Sequence, residues 1–141
     1  MSDVPPLLIS SVICERVIFD KITGMPSLIN IIHDIKSASF PARNWQIVFF
    51  SELTNGHGKT EAVIRLVNVD DEDSVVFEQK GSVEFEDVRQ VVTLAVNLQG
   101  IIFPEPGEYR FQLVANGTTL GERRIYCKQS PPPGRRRDNS D

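Results

Sequence analysis

An alternation of apolar and polar residues runs through most of the chain and constrains its fold more than any other feature. Two runs show it clearly, one over residues 91–98 and the other over residues 109–116. A repeat of two places alternate side chains on one face of a β-strand, so each run predicts a strand with one face in a core. Turn residues interrupt these runs at short intervals. We therefore predict an all-β protein: a single antiparallel, immunoglobulin-like β-sandwich of about eight strands.

The 141 residues suit one domain, which the strand patterns place at residues 7–128. Residues 1–6 are predicted to form an N-terminal extension, and residues 129–141 are predicted to form a disordered tail rich in proline and arginine. The predicted strands include 27–35, the strand from Trp45 to Leu53, and a hairpin closed by Asn116-Gly117. The predicted core contains Ile31, Ile47, Phe49, Ile64, Leu66, Phe77, Val92, Leu94, Val96, Phe111 and Leu113.

Charge and cysteine content exclude several classes of partner. The net charge is -4 and the pI is near 5.2, so the chain has no electrostatic attraction to nucleic acid or to anionic membranes. Two cysteines are too few for a disulfide framework, and the N-terminus does not resemble a secretory signal. No stretch approaches the roughly 20 apolar residues of a membrane span. These features predict a soluble cytoplasmic protein with free thiols.

The segment Gly56-His57-Gly58-Lys59-Thr60 resembles the end of a phosphate-binding loop. That motif needs a further glycine where this chain has Leu53, and it needs a helix after the loop. A strand is predicted to follow here instead. We therefore predict a polar hairpin loop without a phosphate site.

The acidic run from Asp70 to Asp73 offers clustered carboxylates, which hard cations such as calcium prefer. It lacks the glycine-interrupted spacing of a calcium loop. A solvated turn is the favoured interpretation, and a calcium or small-ligand site is the alternative.

Cys14, His33 and Asp34 are residue types that could supply a thiol nucleophile and its base. Nothing in the sequence places them together. His33 shares its predicted strand face with three isoleucines, so a hydrogen-bonded histidine at the edge of the core is favoured. Cys14 and Cys127 are predicted to be small packing residues on the first and last strands, which often pair in sandwiches.

Two stretches of the chain resemble a family of small bacterial β-sandwich proteins of unknown function. The first runs from Cys14 to Pro41, and the second runs from Asn97 through Phe103-Pro104-Glu105-Pro106-Gly107-Glu108-Tyr109 to Glu122. The resemblance covers residues 10–127, and the usual pattern has a glycine where this chain has Asn30. It implies no catalytic residues. The approach to Tyr109 also resembles a late strand of immunoglobulin-like sandwiches, where a tyrosine hydroxyl caps backbone groups upstream.

The favoured function is a non-catalytic module, not an enzyme, that binds another protein through a strand edge or through loops at one end of the sandwich. No cofactor and no metal are predicted. The candidate interaction residues are Asn55, His57 and Lys59 in one loop and Asp70, Asp71 and Asp73 in another. A calcium or small-ligand domain using Asp70–Asp73 is the alternative, and a thiol enzyme using Cys14 is the least favoured hypothesis.

Overall fold

The computed structural model describes residues 4–44 and 46–131, which contain eleven β-strands and one short 3₁₀ helix, Val69–Asp71. The prediction of an all-β protein is confirmed. The strands are β1 Leu7–Phe19, β2 Pro26–Ile31, β3 Asp34–Ser37, β4 Ala42–Asn44, β5 Ile47–Thr54, β6 Gly58–Asn68, β7 Ser74–Phe85, β8 Val92–Leu98, β9 Ile101–Phe103, β10 Gly107–Ala115 and β11 Thr118–Gln129. Trp45 and most of the predicted tail lie outside the described residues. No described segment forms a helix that is long and apolar enough to cross a membrane.

The strands form three sheets rather than one eight-stranded sandwich. A four-stranded sheet has the order β2-β1-β5-β8, and a five-stranded sheet has the order β3-β11-β10-β6-β7. Strands β4 and β9 pair separately as a small two-stranded sheet. Strand β3 runs parallel to β11, while every other described pair is antiparallel.

The core lies between the two larger sheets. Phe49 of β5 and Phe111 of β10 are both buried, and their ring centroids lie 6.3 Å apart. The prediction of buried core residues is confirmed for Ile47, Phe49, Ile64, Leu66, Leu94, Phe111 and Leu113. Phe77, Val92 and Val96 are partly buried against this core. Ile31 was wrongly assigned to the core, because it is 51% exposed.

Ile31 is exposed because it pairs with Cys14 on the side of the four-stranded sheet that points away from the core. The backbone also breaks the predicted strand at this point. Asn30 has a φ of 58°, in the left-handed region, and strand β2 ends one residue later. The chain then crosses between the sheets: the Ile32 amide donates to the Ile13 carbonyl at 2.7 Å, and the Tyr126 amide donates to the His33 carbonyl at 3.3 Å. The predicted strand 27–35 is therefore two strands in different sheets. A positive φ also explains why the resembling family has glycine at this position, since glycine adopts it without strain and asparagine tolerates it.

The β10–β11 hairpin matches its prediction closely. Ala115 pairs with Thr118, and the two residues between them, Asn116 and Gly117, have φ values of 52° and 76°. Such values suit the two-residue type I′ turn that Asn-Gly favours. At the other end of β10, the Tyr109 hydroxyl donates to the Glu105 carbonyl at 2.6 Å and accepts from the Glu105 amide at 3.1 Å. The predicted tyrosine cap is confirmed.

Replacing Tyr109 with phenylalanine should lower the free energy of unfolding by about 1–3 kcal/mol, because a buried tyrosine loses both bonds to the Glu105 backbone. Urea unfolding would measure the loss. Tyr126→Phe is the matched control, since the Tyr126 hydroxyl is exposed and only accepts a 3.4 Å bond from Arg124. Equal stability of the two variants would contradict a structural role for the Tyr109 hydroxyl.

Gly56 lies against the ring of Phe85, and a methyl group added there would overlap that ring. Phe85 is buried and has little room to move. We therefore expect Gly56→Ala to destabilise the fold by about 1–3 kcal/mol in thermal or urea unfolding. Gly81→Ala is the control, because the nearest atoms to a methyl group there lie 3.7 Å away. Equal stability of the Gly56→Ala and Gly81→Ala proteins would show that the Phe85 ring moves aside at little energetic cost.

Candidate binding site

The predicted loop Asn55–Lys59 joins β5 to β6, and these strands belong to different sheets. The loop is therefore a crossover between sheets, and the prediction of a hairpin is wrong. The Asn55 amide donates to the Val88 carbonyl at 2.9 Å, while His57 and Lys59 are exposed. A strand follows the loop, so no helix N-terminus faces it as a phosphate-binding loop would require.

Two carboxylates of the acidic turn accept hydrogen bonds, one from β10 and one from the start of β7. Asp70 Oδ2 accepts the Glu108 amide at 3.2 Å, and Asp71 Oδ2 accepts the Ser74 hydroxyl at 3.0 Å. Asp73 is exposed and has a φ of 57°. Across residues 4–44 and 46–131, no three His, Cys, Asp or Glu side chains are grouped so that they could hold a metal ion.

The two predicted interaction loops do not form one surface. Residues 55–57 precede β6, and Gly58 and Lys59 are its first two residues. The acidic turn follows the end of β6. Strand β6 has 11 residues, which spans about 33 Å at the usual rise of a strand. The loops therefore lie at opposite ends of the strand, and a single small partner surface cannot contact both.

Both cysteines are free and buried. They lie in different sheets, because β1 pairs with β2 and β5 while β11 pairs with β10 and β3; the suggested pairing of first and last strands is wrong. The Cys14 thiol donates to the Arg16 carbonyl at 3.4 Å. Burial raises the pKa of Cys14 and raises the pKa of Cys127 to about 12. A nucleophilic thiol needs a lowered pKa, so both environments oppose that chemistry.

His33 is exposed in the crossing segment, not at the edge of the core as the sequence predicts. The reason is the split of strand 27–35, which removes the face that His33 would have shared with the isoleucines. No hydrogen bond or ion pair joins its side chain to Cys14 or Asp34 among the contacts of the described residues. The ingredients of a thiol site are thus not assembled here.

The outer face of the five-stranded sheet, which points away from the core, carries ion pairs. The Glu108 carboxylate contacts Arg110 at 3.1 Å and Arg124 at 2.9 Å. Farther across the sheet, Arg65 contacts Glu78 at 3.0 Å. These groups are partly or well exposed, as expected for a face in contact with water.

The outer face of the four-stranded sheet carries no ion pair among the described residues, and apolar side chains occupy its centre. Ile13, Ile47 and Phe49 point into the core, so the alternation of a strand turns their neighbours outward. Those neighbours are Cys14, Val48 and Phe50, which are buried but stand outside the core cluster. Ile18 and Ile31 share this face by register and are about half exposed. We call this surface the apolar outer face: Val12, Cys14, Ile18, Ile31, Val48, Phe50 and Ala95.

A groove opens on the apolar outer face where β5 begins and β1 extends beyond it. Pairing between β1 and β5 ends at Cys14 and Val48, but β1 continues to Phe19. The resulting cavity has a volume of about 300 Å³. We call it the Arg16 groove, after the one charged side chain in its lining, which includes Arg16, Ile18, Phe19, Val48, Ala95 and Asn97.

Comparison with known proteins identifies the chain at the level of its family. Residues 9–128 match DUF6941, a family of unknown function. The chain belongs to this family. Among curated proteins, none matches it. The match confirms the predicted resemblance to a family of unknown function, and the apolar outer face lies within the DUF6941 region.

Sequence reasoning about this DUF6941 domain missed the Arg16 groove, although a signal for it is present. Residues 47–50 are apolar at four successive positions, which predicts a strand covered on both faces. The structure covers only one of those faces with a second sheet. An apolar run on a strand that a second sheet covers on only one face is therefore the feature that points to this surface.

Proposed function

We propose that this DUF6941 protein is a non-catalytic module that binds another protein through its apolar outer face. The observation that carries the proposal is the contrast between the two outer faces. The outer face of the five-stranded sheet also exposes Val75 beside buried Val67, but ion pairs cross that face. Among the described residues, no ion pair crosses the apolar outer face, where Ile18 and Ile31 are about half exposed and the Arg16 groove opens. Apolar side chains exposed beside a groove are typical of interaction sites.

We also infer the architecture of the protein and its cellular compartment. We infer an immunoglobulin-like sandwich, supported by two sheets that share one core and by the Tyr109 cap on Glu105. We infer a cytoplasmic location from the free, buried thiols. A non-enzymatic role is supported by the raised pKa of both thiols, which leaves neither cysteine activated.

The loops receive less support as the main contact surface. Asp70 accepts the Glu108 amide and Asp71 accepts the Ser74 hydroxyl, and the loop Asn55–Lys59 lies at the other end of β6. A sheet face and the strand edge beside it offer a larger continuous surface.

The test is to place charge on the apolar outer face and ask which partners are lost. Ile18→Asp and Ile31→Asp change half-exposed side chains, so the domain should still fold. Val75→Asp is the matched control, because Val75 is 52% exposed on β7 of the other sheet. Thermal unfolding would verify that all three variants are folded before binding is compared.

Proximity labelling in the native host should recover a protein with the wild type and with Val75→Asp. The same protein should be lost with Ile18→Asp combined with Ile31→Asp. Recovery that is equal for all variants, or that never exceeds the background of an unrelated domain, would overturn the proposal.

A further inference from the structure

The Arg16 groove lies along the part of β1 that extends beyond its pairing with β5. Residues of β1 beyond Cys14 pair with β2 on one side, through Arg16 with Ile29 and Ile18 with Ser27. On the other side, the pairing of β1 with β5 has already ended. In an antiparallel strand, alternate backbone groups point to opposite sides. Among the described residues, no strand pairs with the groove side of β1 beyond Cys14, so an added segment can lie along it.

The charge within the groove has no acidic partner among the described residues. No ion pair or side-chain hydrogen bond of Arg16 is found there. By contrast, Arg65, Arg110 and Arg124 each lie within 3.1 Å of a carboxylate oxygen. The Arg16 side chain is exposed beside the apolar Ile18, Val48 and Ala95. A guanidinium flanked by apolar groups gains most from a carboxylate, which it can bind with two parallel hydrogen bonds.

We propose that the Arg16 groove binds an extended segment of a partner protein that carries an Asp or Glu between apolar residues. The segment would lie along the groove side of β1 and place its carboxylate on Arg16. Its apolar side chains would contact Ile18, Phe19 and Val48. Asn97, on the far wall, supplies a carboxamide that can donate to the same acidic group.

Charge complementarity selects this occupant over others. A basic segment would place like charges together at Arg16, and a purely apolar segment would leave the guanidinium desolvated without a partner. The groove length favours a short stretch: the five residues of β1 beyond Cys14 span about 17 Å at the rise of a strand. The inference depends on the proposed function, because it names the chemistry of the segment that the apolar outer face would bind.

The test uses the full chain and a displayed library of random short peptides as the probe. Wild-type protein should enrich peptides with an acidic residue flanked by apolar ones. Fluorescence anisotropy with an enriched peptide should show binding weakened about 10- to 100-fold by Arg16→Glu, and by a comparable factor when the peptide's acid becomes its amide. Arg16→Gln is a second variant that removes the charge with less perturbation.

Arg89→Glu is the matched control, because Arg89 is an exposed arginine far along the chain from the groove, and it should leave binding unchanged. A library selection with Arg16→Glu should shift the enriched peptides from acidic to basic. Failure to enrich any peptide, enrichment without an acidic residue, or equal binding by Arg16→Glu would each overturn the inference.

Two results distinguish failure of this inference from failure of the proposed function. If Ile18→Asp with Ile31→Asp abolishes partner recovery while Arg16→Glu does not, the face binds a partner but not through an acid. If sedimentation shows a dimer of this chain that Arg16→Glu dissociates, the occupant is a second copy and the peptide inference is wrong.

Discussion

Replacing Phe111 with alanine should lower the free energy of unfolding by about 3–5 kcal/mol, the usual cost of removing a buried aromatic side chain. Phe111 is fully buried on β10 and its ring meets Phe49 of the other sheet, so the cavity would open between the two layers. Urea unfolding would measure the loss from the shift of the midpoint at constant slope.

Phe19→Ala is the control for Phe111→Ala, because the Phe19 side chain is 51% exposed and its removal should change stability much less. A loss below about 1 kcal/mol for Phe111→Ala would contradict a core shared by the two sheets.

The thiol of Cys127 should react about a thousandfold more slowly in the folded protein than after denaturation, even before access is considered. Burial raises the pKa of Cys127 from its ordinary value of 9.0 to about 12, and the reactive form is the thiolate. A Cys14→Ala protein would isolate Cys127 for labelling by a thiol reagent at neutral pH. Rapid labelling without denaturant would show that Cys127 is reached in the native state.

The same pKa shift makes stability depend on alkaline pH. Below pH 9.0 the Cys127 thiol is protonated in both the folded and the unfolded chain, so its titration does not lower the free energy of unfolding. Between pH 9.0 and about 12 the unfolded chain loses this proton first, so stability falls by about 1.4 kcal/mol per pH unit for this one group. The Cys127→Ala protein should not show this fall in stability with rising pH. Unfolding curves of both proteins, measured over that pH range, would reveal the difference.

Those parts of the fold that depend on neighbouring residues could be predicted from the sequence. The hairpin around Asn116-Gly117 and the cap of Tyr109 on Glu105 are local: each needs only a turn or a spacing of four residues. The split of strand 27–35 is not local. It depends on the left-handed backbone of Asn30 and on bonds to Ile13 and Tyr126, which the pattern of apolar residues does not encode.

The candidate site shows the same division. Asp70 and His57 were predicted as interaction residues because charged and glycine-rich loops are easy to recognise in a sequence. Their positions at opposite ends of β6 could not be predicted from that pattern. Arg16 was unremarkable as a residue type. Its importance follows from the extension of β1 beyond the start of β5, which depends on where pairing between distant strands stops.

The parallel pairing of β3 with β11 has a consequence for folding during synthesis. Asp34 and Tyr126 are partners in that pairing, and most of the domain lies between them in the chain. Strand β3 is therefore synthesised long before β11, its partner in the sheet. The five-stranded sheet cannot be completed until β11 has been made. Contacts this distant in sequence slow folding, so we expect the nascent domain to remain incomplete, and in need of protection from aggregation, until β11 has emerged.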